Sequence, residues 1–372
     1  MRMSGVLARY RAAFFATAGA DILVYVTIGG YLFFGALYVL CQGGMLMGAF
    51  DIYARTCFIT YCLILPFVVF VCGVFRITHR LDRRRRLAYR YMFGPRRVGR
   101  FLAGTLLMLA GLLPFQSMFA SIKSTIDDFT YDRFAADFDK ALHFGRAPVS
   151  YLYQFAKSEW VLRVVEFNYD IVWFIICFGL LYWVAISPKA DRIRQRFLAT
   201  TFLGWVLIGN VVAGLVPTAG PAFYRLVTGD PTRFGKVRDF VETTAGSFSS
   251  AADEQHYLWL LHASGVTGFG SGISAFPSMH VATIAINALF IGEFSRRVAV
   301  VSWAYTALIM LSSVYLGWHY AVDGYVALTL SIAIYWAVRV SAPYAAALLA
   351  RWKEDEPARQ PRPTEEGLLT DH

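Results

Sequence analysis

Charge is what this sequence has least of. Asp, Glu, Lys and Arg make up 16% of its 372 residues, whereas 57% are hydrophobic. A soluble globular domain is roughly a quarter charged, so this scarcity, with a mean hydropathy of +0.48, excludes an ordinary soluble fold and points to an integral membrane protein. Cysteine is scarce too. Cys41, Cys57, Cys62, Cys72 and Cys177 are odd in number, lack metal-ligand spacing and lie in or beside apolar runs. That argues against a disulfide framework or a cysteine metal centre and leaves them as small core hydrophobes. A convincing leader cleavage site is also missing. Arg2, Arg9 and Arg11 precede an uncharged run from Ile22 to Phe50 that is too long for a signal peptide and reads as a retained first span.

What is present is a series of apolar runs. A bilayer core about 30 Å thick needs roughly 20 apolar residues per helix, and eight runs qualify: Ile22 to Cys41, Thr56 to Phe75, Phe101 to Ile122, Ile171 to Ser187, Phe197 to Val216, Pro277 to Gly292, Val298 to Gly317 and Gly324 to Ala347. The sixth is short, ending before Glu293, and the eighth carries Arg339, whose long side chain can snorkel to the headgroups. The expected fold class is an all-α polytopic membrane helical bundle of about eight transmembrane helices.

The net charge of +10 raises the question of a nucleic-acid partner, and the placement of the basic residues answers it. The link between the second and third runs holds ten arginines, Arg76 to Arg100, against one acid, Asp82. Arg2, Arg9 and Arg11, then Lys189, Arg192, Arg194 and Arg196, then Arg296 and Arg297 fall on the same side by alternation. Basic links mark the cytoplasmic face, so the basicity reads as topology, with the Arg83–Arg86 run facing anionic lipid, and no nucleic-acid partner is expected. Both termini are then cytoplasmic.

Two segments are too polar to span and too long for tight turns, 123–170 and 217–275, and both fall on the extracytoplasmic side. The first has helical apolar spacing through Phe134, Phe138 and Leu142, which suits either a helix lying flat on the membrane or a lid over the second segment. The last residues, 351–372, are charged, Pro-containing and poor in large apolar side chains, as in a disordered cytoplasmic tail.

Three short motifs, far apart in the chain, meet the same face: 217-PTAGPAFYR-225, 276-FPSMH-280 and 312-SSVYLGWHYAVD-323. Proline suits a first helical turn, and the free N–H groups after it, with the Ser278 hydroxyl, make an anion site at the positive end of a helix dipole. His280, one turn in, can protonate an oxygen leaving a phosphate. His319 and Asp323 stand four residues apart, so the carboxylate can hold one imidazole nitrogen and leave the other free to attack. Each histidine alone also fits an interfacial residue bonded to a neighbour; it is the joint placement, beside the uncharged run 268-GFGSGIS-274, that argues for a site.

These motifs resemble the type 2 phosphatidic acid phosphatase superfamily, where Pro-Ser-x-His and His-x-x-x-Asp face one another on a six-helix core. The fuller strings 272-GISAFPSMHVA-282, 315-YLGWHYAVDG-324 and 217-PTAGPAFY-224 resemble its inositol phosphorylceramide synthase branch. The resemblance implies His319 as nucleophile, Asp323 as its orienting partner and His280 as acid. It divides the chain into an N-terminal segment with two spans and an Arg-rich cytoplasmic loop (1–96), a six-helix catalytic core with two extracytoplasmic loops (97–350) and the tail (351–372). The family's usual arginine six residues before the nucleophile is replaced by Ser313, so something else must hold the phosphate. Arg225 and Tyr224 are the candidates, although Arg225 equally fits an interfacial anchor. The expected activity is cleavage of a lipid phosphoester at the extracytoplasmic face and transfer to water or a hydroxyl acceptor, with no metal or cofactor. The alternative, a transporter or flippase relaying protons through the histidines, predicts mid-bilayer ionisable residues and repeat symmetry, and the sequence shows neither.

Overall fold

Backbone groups in lipid must be satisfied within their own segment, and the apolar runs meet that demand as helices. The computed structural model describes residues 3–79 and 82–359; among them there is no strand. Among the described residues seven helices are long and apolar enough to cross a membrane: Ile22–Cys41, Phe50–Thr78, Arg84–Lys123, Glu159–Ile186, Arg194–Leu215, Arg296–Tyr315 and Ala321–Ala345. The sixth run is the shorter apolar helix Met279–Gly292. Ser278 caps its start by accepting the Val281 N–H. The chain is thus an all-α polytopic helical bundle.

The helix ends differ from the expected runs in instructive ways. The fourth begins at Glu159 instead of Ile171, because Ser158 caps it, accepting the Val161 N–H, and Glu159 lies in its first turn, where a negative charge complements the dipole. The last continues to Arg359, so the segment expected to be disordered from 351 is helical over its first nine residues. Residues 360–372 lie outside the described residues. A further helix, Met3–Ala20, precedes the first span.

The helices pack through small residues, as membrane bundles do. A side chain at Gly104 would meet the Ala185 carbonyl at 2.7 Å, so glycine there lets the third and fourth spans approach backbone to backbone. At the end of the bundle opposite His280, basic residues find the few acids available. Arg196 grips both oxygens of Glu293 at 2.8 Å, Tyr335 donates to the same carboxylate at 3.1 Å, and Arg339 bonds the Tyr335 hydroxyl at 2.8 Å. Arg339 is therefore engaged by protein.

The segment 123–170 contributes a helix, Asp132–Leu142, laid against the site end of the bundle. Its polar edge is the one turned inward: Asp132, Ala135, Ala136 and Asp139 are buried, while Phe134, Phe138 and Leu142 are exposed. The inversion has a cause in the loops beneath, where unpaired backbone N–H groups need acceptors (described below).

One buried pair fixes the first helices to the rest. Asp21, fully buried at the break between Met3–Ala20 and Ile22–Cys41, receives the Arg194 guanidinium and the Gln195 amide. Removing one partner of a buried pair strands the other charge, at a cost of about 3–5 kcal/mol. Asp21→Ala is expected to lower the thermal midpoint of the detergent-solubilised protein markedly and Asp21→Asn less. Equal midpoints for wild type and Asp21→Ala would show that the pair contributes nothing.

Candidate active site

The site is assembled by backbone hydrogen bonds among three loops. Thr218 accepts the Ala275 N–H through its carbonyl at 2.8 Å and the Phe276 N–H through its hydroxyl at 3.0 Å. The Ala222 N–H reaches the Gly317 carbonyl at 2.8 Å, and the Ser278 N–H reaches the Asp323 carbonyl at 3.2 Å. The three sequence motifs are thus bonded to one another.

Asp132 ties this layer down. Its carboxylate accepts the Ala219 N–H at 2.6 Å, the Gly220 N–H at 2.9 Å and the Tyr320 hydroxyl at 2.7 Å. Two turns on, Asp139 accepts the Val322 N–H at 3.1 Å, capping the start of the last span. A buried carboxylate is costly unless hydrogen-bonded; here the loops supply the donors, which is why the acidic edge of Asp132–Leu142 is buried and its aromatic edge is not. Helical spacing alone left both orientations open, the aromatic edge outward as on a membrane surface or inward as in a lid.

His319 lies in the turn between the last two spans and is buried. Its Nδ1 sits 2.6 Å from the Ala275 carbonyl oxygen. A carbonyl can only accept, so Nδ1 carries the hydrogen and Nε2 holds the lone pair. Asp323 Oδ2 is farther from Nδ1, at 3.4 Å, and takes the Tyr320 N–H at 2.9 Å. The Ala275 carbonyl therefore sets the tautomer expected of Asp323, and Asp323 adds a second, longer contact from a fully buried position. Burial, offset by the Ala275 bond and reinforced by the Lys123 charge, lowers the His319 pKa to about 4, which keeps its lone pair available at neutral pH.

His280 is held by stacking. Its ring lies 4.1 Å from those of Tyr169 and Trp173, at 16° and 37°, and Trp173 donates to its backbone carbonyl at 3.0 Å. Neither ring nitrogen has a hydrogen-bond partner among the described residues. Both histidines line one cavity of about 390 Å³, within the range of small-molecule sites. Its walls are largely aromatic, with Lys123, Asp170 and Glu254 as charged groups; burial, then the neighbouring Glu166 charge, raises the Glu254 carboxyl pKa.

The remaining candidates lie elsewhere. Ser278 is fully buried and caps its helix, so its hydroxyl oxygen is occupied. Tyr224 is buried against Phe234, with rings 5.2 Å apart, and its hydroxyl receives Arg233 at 3.4 Å. Arg225 is exposed. Neither Tyr224 nor Arg225 lines the cavity, because the bond from Ala222 to Gly317 turns the chain away before either residue is reached. The pair expected to contact phosphate is thus placed away from the cavity that His319 and His280 share. Ser313, where the usual arginine is missing, is buried, and its carbonyl accepts the Trp318 N–H at 3.0 Å and the His319 N–H at 3.3 Å, shaping the nucleophile's turn.

A helical membrane bundle with two histidines on one cavity and a carboxylate behind one of them has the makings of a phosphoester-processing membrane protein. A family model described as the PAP2 superfamily matches residues 134–337, more than half of the chain, and the protein belongs to that superfamily, whose membership supports a phosphatase-type membrane enzyme. No curated protein and no solved structure matches the chain. Asp132 and Lys123 lie outside the matched residues, and no short motif marks either one.

Asp132→Ala removes the acceptor of two backbone donors and one hydroxyl. Unsatisfied buried donors cost about 1–3 kcal/mol each, so the variant is expected to be cleaved by protease between residues 217 and 276 far faster than wild type, with Asp132→Asn intermediate. Identical cleavage rates would contradict the anchoring role.

Proposed function

We propose that the protein cleaves a phosphoester of a membrane lipid through a phospho-histidine and passes the phosphoryl or phospho-headgroup to water or to a hydroxyl acceptor. The observation that carries this reading is the His319 ring, fixed through Nδ1 on the Ala275 carbonyl so that Nε2 is the free nitrogen of a residue lining the same cavity as His280.

In the first step, with His280 protonated beside the negative charge of the bound phosphate, the Nε2 lone pair of His319 attacks phosphorus, the bond to the leaving alcohol breaks, and His280 gives that alcohol its proton. Positive charge spreads over the His319 ring and is balanced by Asp323 beside Nδ1. In the second step neutral His280 takes a proton from water or from the acceptor hydroxyl, whose oxygen attacks phosphorus. The P–N bond breaks and its electron pair returns to Nε2. Hydrolysis and transfer share the first step and differ only in what enters for the second.

Transfer to a lipid hydroxyl, as in the inositol phosphorylceramide synthase branch and hence in sphingolipid metabolism, is supported by 272-GISAFPSMHVA-282 and by serine at position 313. The extracytoplasmic placement of the site is supported by the Arg-rich links at the opposite ends of the spans.

His319→Ala is expected to lower turnover of a phospholipid or lipid-phosphate donor by a factor on the order of 10³ or more, and His280→Ala to leave the nucleophile in place while slowing both release of the alcohol with formation of the phospho-histidine and its later breakdown. With labelled phosphate donor, acid-labile label should be trapped on wild type and absent from His319→Ala; label on the latter would dismiss His319 as nucleophile. The neutral ring is the nucleophile and the protonated ring is inert, so activity should persist as pH falls below the usual histidine value. The acid limb of kcat/KM, which reports the free enzyme, is expected near about 4. A limb near 6.5 would contradict the buried environment described for His319.

A further inference from the structure

The geometry points to Lys123 as the cation that holds the substrate's phosphate in the cavity of His319 and His280, in place of the arginine missing at Ser313. This rests on the phosphoester reading of the site and deepens it by naming the group that takes the negative charge.

Lys123 ends the third span, and only 6% of its surface is exposed. It lines the same cavity as the two histidines. Among the described residues its ammonium has no hydrogen bond or ion pair. Its sole polar contact is the face of Phe119, with Nζ 5.5 Å from the ring centroid. Asp170 and Glu254 line the cavity too, yet neither lies within ion-pair reach of it. A buried ammonium without a counter-charge is strongly disfavoured, and an interfacial anchor would extend to the headgroups. A cation enclosed in a cavity and left without an acid is poised for an anion that arrives with the substrate.

The surrounding loop keeps it in place. Gly272, at φ 95°, lies so close that a side chain there would fall 2.2 Å from Lys123 Cβ. The Ser271 and Ser124 hydroxyls are 3.1 Å apart, and the Gly270 N–H bonds Tyr53 at 3.0 Å. The Gly-Ser run that stood out in the sequence is therefore the strap that lays the His319-bonding Ala275 segment across the helix end bearing Lys123. A charge-assisted contact from that ammonium to a phosphate oxygen is the kind that orients and stabilises a transferring phosphoryl group.

The test uses the full chain in lipid nanodiscs with inorganic phosphate as probe. Wild type is expected to gain thermal stability with rising phosphate, saturably, and Lys123→Met to lose that response while keeping its phosphate-free midpoint. Lys123→Arg should retain most of it. If the Met variant does not fold, Lys123→Gln takes its place. With a turned-over donor, kcat/KM should fall about 10- to 100-fold in Lys123→Met and recover largely in Lys123→Arg. Phosphate binding by Lys123→Met equal to wild type, or none by wild type, overturns the assignment. Because binding is read without turnover, a protein that binds phosphate through Lys123 but turns over no phosphoester would refute the proposed function and leave this inference standing.

Discussion

Asp132 is the interaction on which the rest of the site depends. Its two oxygens collect donors from the 217–220 loop and from Tyr320, segments separated by a hundred residues of chain. Without a shared acceptor, those N–H groups would face an apolar interior, where an unmet donor is expensive. The carboxylate thus converts a sequence separation into a fixed distance, and Asp139 repeats the device two turns along at the start of the last span. The site is built from loops, but loops whose backbone is accounted for by buried acids.

A division of labour follows between groups that look interchangeable on paper. His319 has two acceptors near Nδ1, and the nearer is the neutral carbonyl of Ala275. A neutral acceptor fixes the tautomer without drawing the proton away. Asp323, slightly farther off, meets the charge that forms in the proposed reaction. Stacking replaces hydrogen bonding at His280, where Tyr169 and Trp173 hold the ring plane and leave both nitrogens to the cavity.

Much of this was legible from the sequence. The eight apolar runs all correspond to helices because intrachain hydrogen bonding in lipid admits little else, and the three motifs meet because alternation of spans puts their ends on one side. The helix start at Glu159 was not legible from hydropathy, which registers apolar length and misses a Ser158 cap. The choice between Arg225 as phosphate contact and as interfacial anchor was not legible, because its position in a motif says nothing of the turn that carries it outward. Lys123 and Asp132 were hidden for a related reason: each lies in a stretch with no motif of its own, and its meaning comes entirely from chain that packs on it later. The orientation of Asp132–Leu142 was hidden most deeply, since apolar spacing suits an aromatic edge turned either outward or inward and only the donors beneath decide between them.

That reversed helix makes the protein's surroundings part of its active-site mechanics. Phe134 and Phe138, their rings nearly parallel and 5.9 Å apart, stand on the outer edge of the same helix whose inner edge grips the loops around His319. Whatever medium presses on those rings acts on a short lever: a tilt of the helix is passed through one carboxylate to Tyr320 and so to the residue beside the proposed nucleophile. The packing outside the bundle and the reach of the histidine inside it are set by a single helical segment.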